Sequence, residues 1–192
     1  MASASSHRSP LILYHADCDD GFGAAYAAWL ALGDAATYQP IHHDDAVSVE
    51  LLTGRHVFIL DFSFSPAIIA EMAAVATQIT LLDHHKSAAE QWQGVAPAAN
   101  VSTTFDMDRS GAQMSWDHFH PGIPRPRLIE HVADRDLFMA LCLARYQGIL
   151  CWFKSVSENI RGMAGSGCRH GHRPGANHCS ASTTSNPMDG AR

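Results

Sequence analysis

The sequence predicts an α/β protein, a Rossmann-like and mostly parallel sheet with helices on both faces. Three observations carry this. The apolar runs Leu11–Tyr14, Val57–Leu60 and Ile79–Leu82 have the length and aliphatic content of buried strands. Each is followed at once by Asp or His, in His15-Ala16-Asp17-Cys18-Asp19-Asp20-Gly21, in Asp61-Phe62-Ser63 and in Asp83-His84-His85. Helix-favouring stretches separate the runs, and that alternation builds a parallel sheet covered on both sides.

The elements follow in order. Leu11–Tyr14 is the first strand, and the turn through Gly21 leads into an Ala-rich helix, Ala24–Leu32, stopped by Gly33. Tyr38–Ile41 is a second short strand, and Pro40 assigns it to a sheet edge because proline donates no ladder hydrogen bond. His42-His43-Asp44-Asp45 reads as a solvated loop. After the strand Val57–Leu60, Ser65 caps a helix with Pro66 in its first position, running through Ala67–Ala76. The strand ending at Asp83 precedes a short helix, Ser87–Trp92, and then a loop or brief strand, Pro97–Thr104. A helix from Ser110-Gly111-Ala112 to Phe119 ends at the proline-rich run 121–126. Leu128–Val132, Asp134-Arg135-Asp136 and a weak helix to about Tyr146 complete the patterned part.

From Gly162 to Arg192 the chain is rich in Gly, Ser, Pro, Asn and His and has no periodicity. Such a stretch buries too little apolar surface to offset its ordering entropy. The expectation is one ordered domain over 9–147 and an irregular, disordered or truncated tail over 148–192. Cys168, His170, His172, His178 and Cys179 in that tail match no ordinary zinc spacing.

Composition narrows the function classes. An apolar fraction of 46% with 17% charged residues suits a globular chain. A net charge of -6 argues against binding duplex nucleic acid by general phosphate neutralisation. The 13 histidines equal lysine and arginine together, which directs attention to metal or acid–base chemistry. The five cysteines form no CxxC pair, so a reducing, cytoplasmic setting is expected. Met1–Pro10 lacks the apolar core of a signal peptide, and no apolar run reaches membrane-spanning length.

Carboxylates and imidazoles delivered by several strand ends suit divalent cations, and two close cations need a carboxylate that bridges them. The residues available are His15 with the Asp17, Asp19 and Asp20 group, Asp61 as a bridge, and His84 with His85. Asp134 or Asp136 supplies a further acid. Cys18 reads as a small packed side chain, and Arg135 as a phosphate contact or an ion-pair partner of Asp134 or Asp136.

Taken together, the Asp83-His84-His85 triplet with its strand, the upstream Asp61, the His/Asp turn before Gly21, the Ser110-Gly111-Ala112 helix start and Asp134-Arg135-Asp136-Leu137-Phe138 resemble the DHH phosphoesterase superfamily. The resemblance spans about Leu11 to Phe138. It implies that 9–147 is a catalytic domain, which hydrolyses phosphodiester bonds in a phosphorylated small molecule or short oligonucleotide. Two Mn2+ ions are implied, with Mg2+ as a substitute, in a soluble protein without membrane partners; the oligomeric state stays open. By the same resemblance His15 and Asp20 hold one ion, Asp61 bridges, and His84 and Asp134 hold the second. His85 lies near the phosphate, Asp83 orients its neighbours and Arg135 joins the catalytic group. Two departures stand out. Cys18 occupies the position two before Asp20, where the commoner pattern has Asp, so Asp17 or Asp19 becomes an alternative ligand. Nothing after Gly148 resembles the second, substrate-binding domain of many relatives, so a catalytically impaired remnant that binds metal or nucleotide is the competing expectation.

Overall fold

The computed structural model describes residues 8–43 and 45–137. Five strands, β1 (Leu11–His15), β2 (Thr37–Ile41), β3 (His56–Leu60), β4 (Gln78–Asp83) and β5 (Val101–Phe105), form one sheet in the order β2-β1-β3-β4-β5. Every pairing is parallel. The helices are α1 (Asp19–Leu32), α2 (Val49–Leu52), α3 (Pro66–Ala73), α4 (Lys86–Gln91), α5 (Gly111–Phe119) and α6 (Arg127–Asp136). The protein is therefore α/β, with a parallel sheet flanked by helices.

Strand periodicity divides the core. Leu11, Leu13, Val57, Ile59, Ile79 and Leu81 point to one face and pack with Ile69 and Met72 of α3 and with Trp92 after α4. Ile12, Tyr14, Phe58, Leu60 and Leu82 point to the other face, against Ala24, Ala25 and Ala28 of α1 and Met114 of α5. The alanines of α1 let it lie close to its neighbours. A Cβ on Gly23 would come within 2.9 Å of the Ala112 Cβ. Ala27, Ala112, Trp116, Ile129 and Val132 then join α1, α5 and α6 into an outer cluster.

Local chemistry sets several boundaries. Ser65 accepts the Ile68 N–H at the start of α3, as Pro66 at the first position leads one to expect. Ser110 and Gln113 form a reciprocal capping box that starts α5. Proline-bearing β2 is an edge strand.

One element differs from the sequence reading. The turn expected through Gly21 is already helical, because α1 begins at Asp19. Of the two alternatives for 97–104, loop or brief strand, the strand is the one found: β5, whose burial alternates at the sheet edge. The expected tail over 148–192, the boundary at 147 and the helix toward Tyr146 lie outside the described residues. Among the described residues no helix is long and apolar enough to cross a membrane.

One ion-pair cluster fixes the entrance to α5. The Asp117 carboxylate accepts from Arg109 Nη1 at 2.8 Å and from Arg125 Nε and Nη2 at 2.9 and 2.6 Å. Arg109 immediately precedes the Ser110 cap and also donates to Asp106 at 2.7 Å. Arg125 above all, with Arg109, holds the Asp117 carboxyl below the usual carboxylate range against the opposing effect of burial. A depressed folded pKa contributes stability above the unfolded value of about 4 and loses it as pH falls through the folded one. Asp117→Asn should therefore cost about 1 kcal/mol at neutral pH, discounted for partial exposure. Urea denaturation along a pH series should show this gap closing on acidification.

Candidate metal centre

Three side chains meet where β1, β3 and β4 end. His15 is the last residue of β1, Asp61 follows β3, and His84 follows β4. The sheet order makes β1 and β3 neighbours whose connections leave in opposite directions. In sheets of this order, ligands bind in the crevice outside the carboxyl ends of those two strands.

Asp61 sits at the centre. It is 1% exposed, and neither carboxylate oxygen has a hydrogen-bond partner. Its Oδ2 lies 3.6 Å from His15 Nδ1 and its Oδ1 lies 3.1 Å from His84 Nε2, without hydrogen-bond alignment. His15 Nδ1 and His84 Nε2 are themselves buried and unpartnered. The Asp61 backbone is left-handed, with φ of 57°, while its N–H donates to Leu82 C=O at 2.9 Å. That conformation costs on the order of 1 kcal/mol for a non-glycine residue. It is held in place by the ladder bond to β4.

Asp20 reaches the same point from α1. Its two oxygens accept the Gly111 and Ala112 N–H groups at 2.6 and 3.0 Å, so it caps α5 across the fold. Oδ2 also lies 3.5 Å from His84 Nε2. Gly21 is required beside it, since a Cβ there would sit 2.2 Å from the His15 carbonyl oxygen. Gly111 is required for the same kind of reason, since its Cβ would be 2.4 Å from the Asp61 Cβ.

Asp136, near the end of α6, completes the cluster, with Oδ2 3.4 Å from His84 Nε2. Three overlapping ligand groups result: His15, Cys18 and Asp61; Asp61, His84 and His85; Asp20, His84 and Asp136. Asp61 and His84 are each shared by two groups. A carboxylate common to two donor sets is the arrangement a bridging ligand needs.

Asp83 plays a different part. Its Oδ1 accepts the backbone N–H groups of His84 and His85 at 2.8 and 3.2 Å, and His85 Nδ1 lies 2.7 Å away. Asp83 thus orients the loop and the His85 ring, leaving His85 Nε2 free of that bond. His85 itself is 43% exposed.

The other sequence candidates lie apart. Asp17, left-handed with φ of 54°, is two-thirds exposed and lies 3.8 Å from His42 Nε2. Asp19 is ion-paired with Arg135 at the surface, at 2.5 Å. That pair takes Arg135 away from the carboxylates of its own helix. Asp134 belongs to none of the three groups. Residues two apart on a helix project to nearly opposite sides, so only one of Asp134 and Asp136 can meet the sheet edge. His43, in the loop that the sequence predicts to be solvated, is exposed, yet its ring lies 5.3 Å from that of His15 and 5.0 Å from that of Phe62. No local pattern distinguishes it, and only the return of β2 beside β1 brings it here.

The electrostatics are those of crowded carboxylates. Burial pushes Asp20 up to about 7, helped by the Asp61 charge. Burial opposes the charge on Asp61 as well, but His15 and His84 outweigh it and hold the carboxyl down at about 2. The Asp61 contact raises His15 to about 10. Burial lowers His84, but Asp61, Asp20 and Asp136 outweigh it and raise it to about 9. Buried unpaired charge costs several kcal/mol unless compensated. A divalent cation would neutralise the crowded carboxylates and take the place of the protons on His15 and His84, so the donor set fits one.

Gly111→Ala tests the close approach. Forcing a methyl against Asp61 should cost about 1–3 kcal/mol in urea denaturation.

No family model matches the chain. An uncharacterized protein of Acanthamoeba polyphaga mimivirus is 30% identical in an alignment 142 residues long that covers 67% of this chain and 33% of that protein. The chain therefore spans about a third of the length of that relative. An uncharacterized protein from Helicobacter pylori, of known crystal structure, superposes with a TM-score of 0.56 at 17% identity, over 78% of this chain and 49% of that one. That likeness is one of fold.

Proposed function

We propose that this chain is a metal-dependent phosphoesterase of the DHH type, which hydrolyses phosphodiester bonds in short oligonucleotide or nucleotide-like substrates with water as nucleophile. The observation that carries the reading is the buried, unpartnered carboxylate of Asp61, shared between ligand groups that end on His15 and on His84. A structural carboxylate would have found hydrogen-bond donors.

His15 and Asp61 would hold one ion; His84, Asp20 and Asp136 would hold the other, with Asp61 between them. A bound pair of divalent ions supplies charge neutralisation at phosphorus and lowers the pKa of the attacking water. Asp20 also ties the donor set to the N-terminus of α5, which keeps the carboxylate from rotating away. Asp83 accepts from His85 Nδ1 and raises the pKa of the ring, which favours the imidazolium form, whose Nε2–H can donate to a phosphate oxygen. Mn2+, with Mg2+ as substitute, fits a mixed carboxylate and imidazole set.

Hydrolysis of a chromogenic phosphodiester in Mn2+ by the purified chain is the direct test. Asp61→Ala should reduce the rate about a thousandfold or more, equivalent to several kcal/mol, with an unchanged circular dichroism spectrum. Asp136→Asn should cost about tenfold or more, and Asp134→Asn should leave the rate near wild type. Retained activity in Asp61→Ala, or equal losses in Asp134→Asn and Asp136→Asn, would overturn these assignments.

A further inference from the structure

Cys18 occupies the helix-start position of α1, where Ser, Thr, Asp or Asn would satisfy an exposed N–H. It makes no side-chain capping bond. Its thiol belongs instead to the group with His15 and Asp61, whose three donor atoms lie within 4.8 Å of one another. Donors on one ion, with bonds of about 2.0–2.3 Å, stand roughly 3–4 Å apart, so a small side-chain rotation closes the set. The two other members are already 3.6 Å apart, and the Asp61 oxygens and His15 Nδ1 in that space are buried without partners. The structural duties open to a cysteine here, capping and core filling, do not account for it. It is partly exposed and its side chain caps nothing.

We propose that the Cys18 thiolate is a ligand of the ion position shared with His15 and Asp61, and that it biases this position toward thiophilic divalent ions such as Zn2+ and Co2+ over Mg2+ and Mn2+. The inference rests on the metal-centre reading above and refines one of its two positions. Imidazole and thiolate are the borderline and soft donors that favour these ions, whereas carboxylate and water favour Mg2+ and Mn2+. The second position, with Asp20, His84 and Asp136, keeps the harder set. The two positions therefore differ in chemistry.

Cobalt reports the thiolate directly. Titration of the full-length, metal-free chain with Co2+ should produce a near-ultraviolet thiolate-to-cobalt charge-transfer band that Cys18→Ser and Cys18→Asp both lack. Calorimetric titrations with Zn2+ and Mn2+ should show the Zn2+ preference falling about tenfold or more in Cys18→Asp, through weaker Zn2+ and tighter Mn2+ binding. Unchanged circular dichroism in the variants excludes a folding defect. A band that persists undiminished in Cys18→Ser arises from the other cysteines and would overturn the inference. So would an unchanged Zn2+ to Mn2+ ratio in Cys18→Asp. Either result leaves the metal centre standing if Asp61→Ala still abolishes binding. Failure of the wild-type chain to bind any of these ions would overturn both readings.

Discussion

The bond on which the rest depends joins Asp20 to the N-terminus of α5. One carboxylate near the start of the chain accepts two backbone N–H groups from Gly111 and Ala112, more than ninety residues later. It meets the favourable end of the α5 dipole and satisfies donors that a helix start leaves unpaired. Through it α1 and α5 lie side by side on one face of the sheet, and Gly111 is pressed against Asp61. The strand ends, the two helices and the ligand groups are thereby one construction.

That construction is electrostatically unfavourable in isolation. Asp20, Asp61 and Asp136 converge on His84, and the fold buries two of them almost completely. Backbone N–H groups compensate Asp20, whereas Asp61 has only the nearby His15 and His84 rings, which are not aligned for hydrogen bonds. The surrounding structure bears a second cost as well, because Asp61 is held in a left-handed conformation, fixed by its bond to β4. Concentrating buried charge and backbone strain at one strand end is what a polar ligand site requires. It is a poor way to stabilise a core.

The site and the outer helices are also mechanically linked. Asp117 holds Arg109 and Arg125, one before the Ser110 cap and one before α6. Gln113 of α5, besides closing the capping box, donates to Glu130 of α6 at 2.8 Å. The position of Asp136 relative to His84 follows from how α6 sits on α5.

Much of this was written locally. Each run such as Leu81-Leu82 ended by Asp83-His84-His85 carries its own message, because aliphatic residues demand burial and an abrupt polar stop marks a strand end. Hence β1, β3, β4, the edge position of β2, and the place of His15, Asp61 and His84 beside strand ends could all be read in the chain. The tertiary structure decided what depends on distance and on rotation about an axis. It chose Asp136 over Asp134 as the α6 acid beside His84, since helical rotation sends such residues to opposite sides. Asp19 went outward to Arg135, and Asp20 inward to α5, because α1 begins one turn earlier than its alanine pattern suggests. His43 came beside His15 only because β2 lies next to β1. Composition and periodicity act between near neighbours in sequence; which of several acids or histidines converge is set by packing between residues far apart in it.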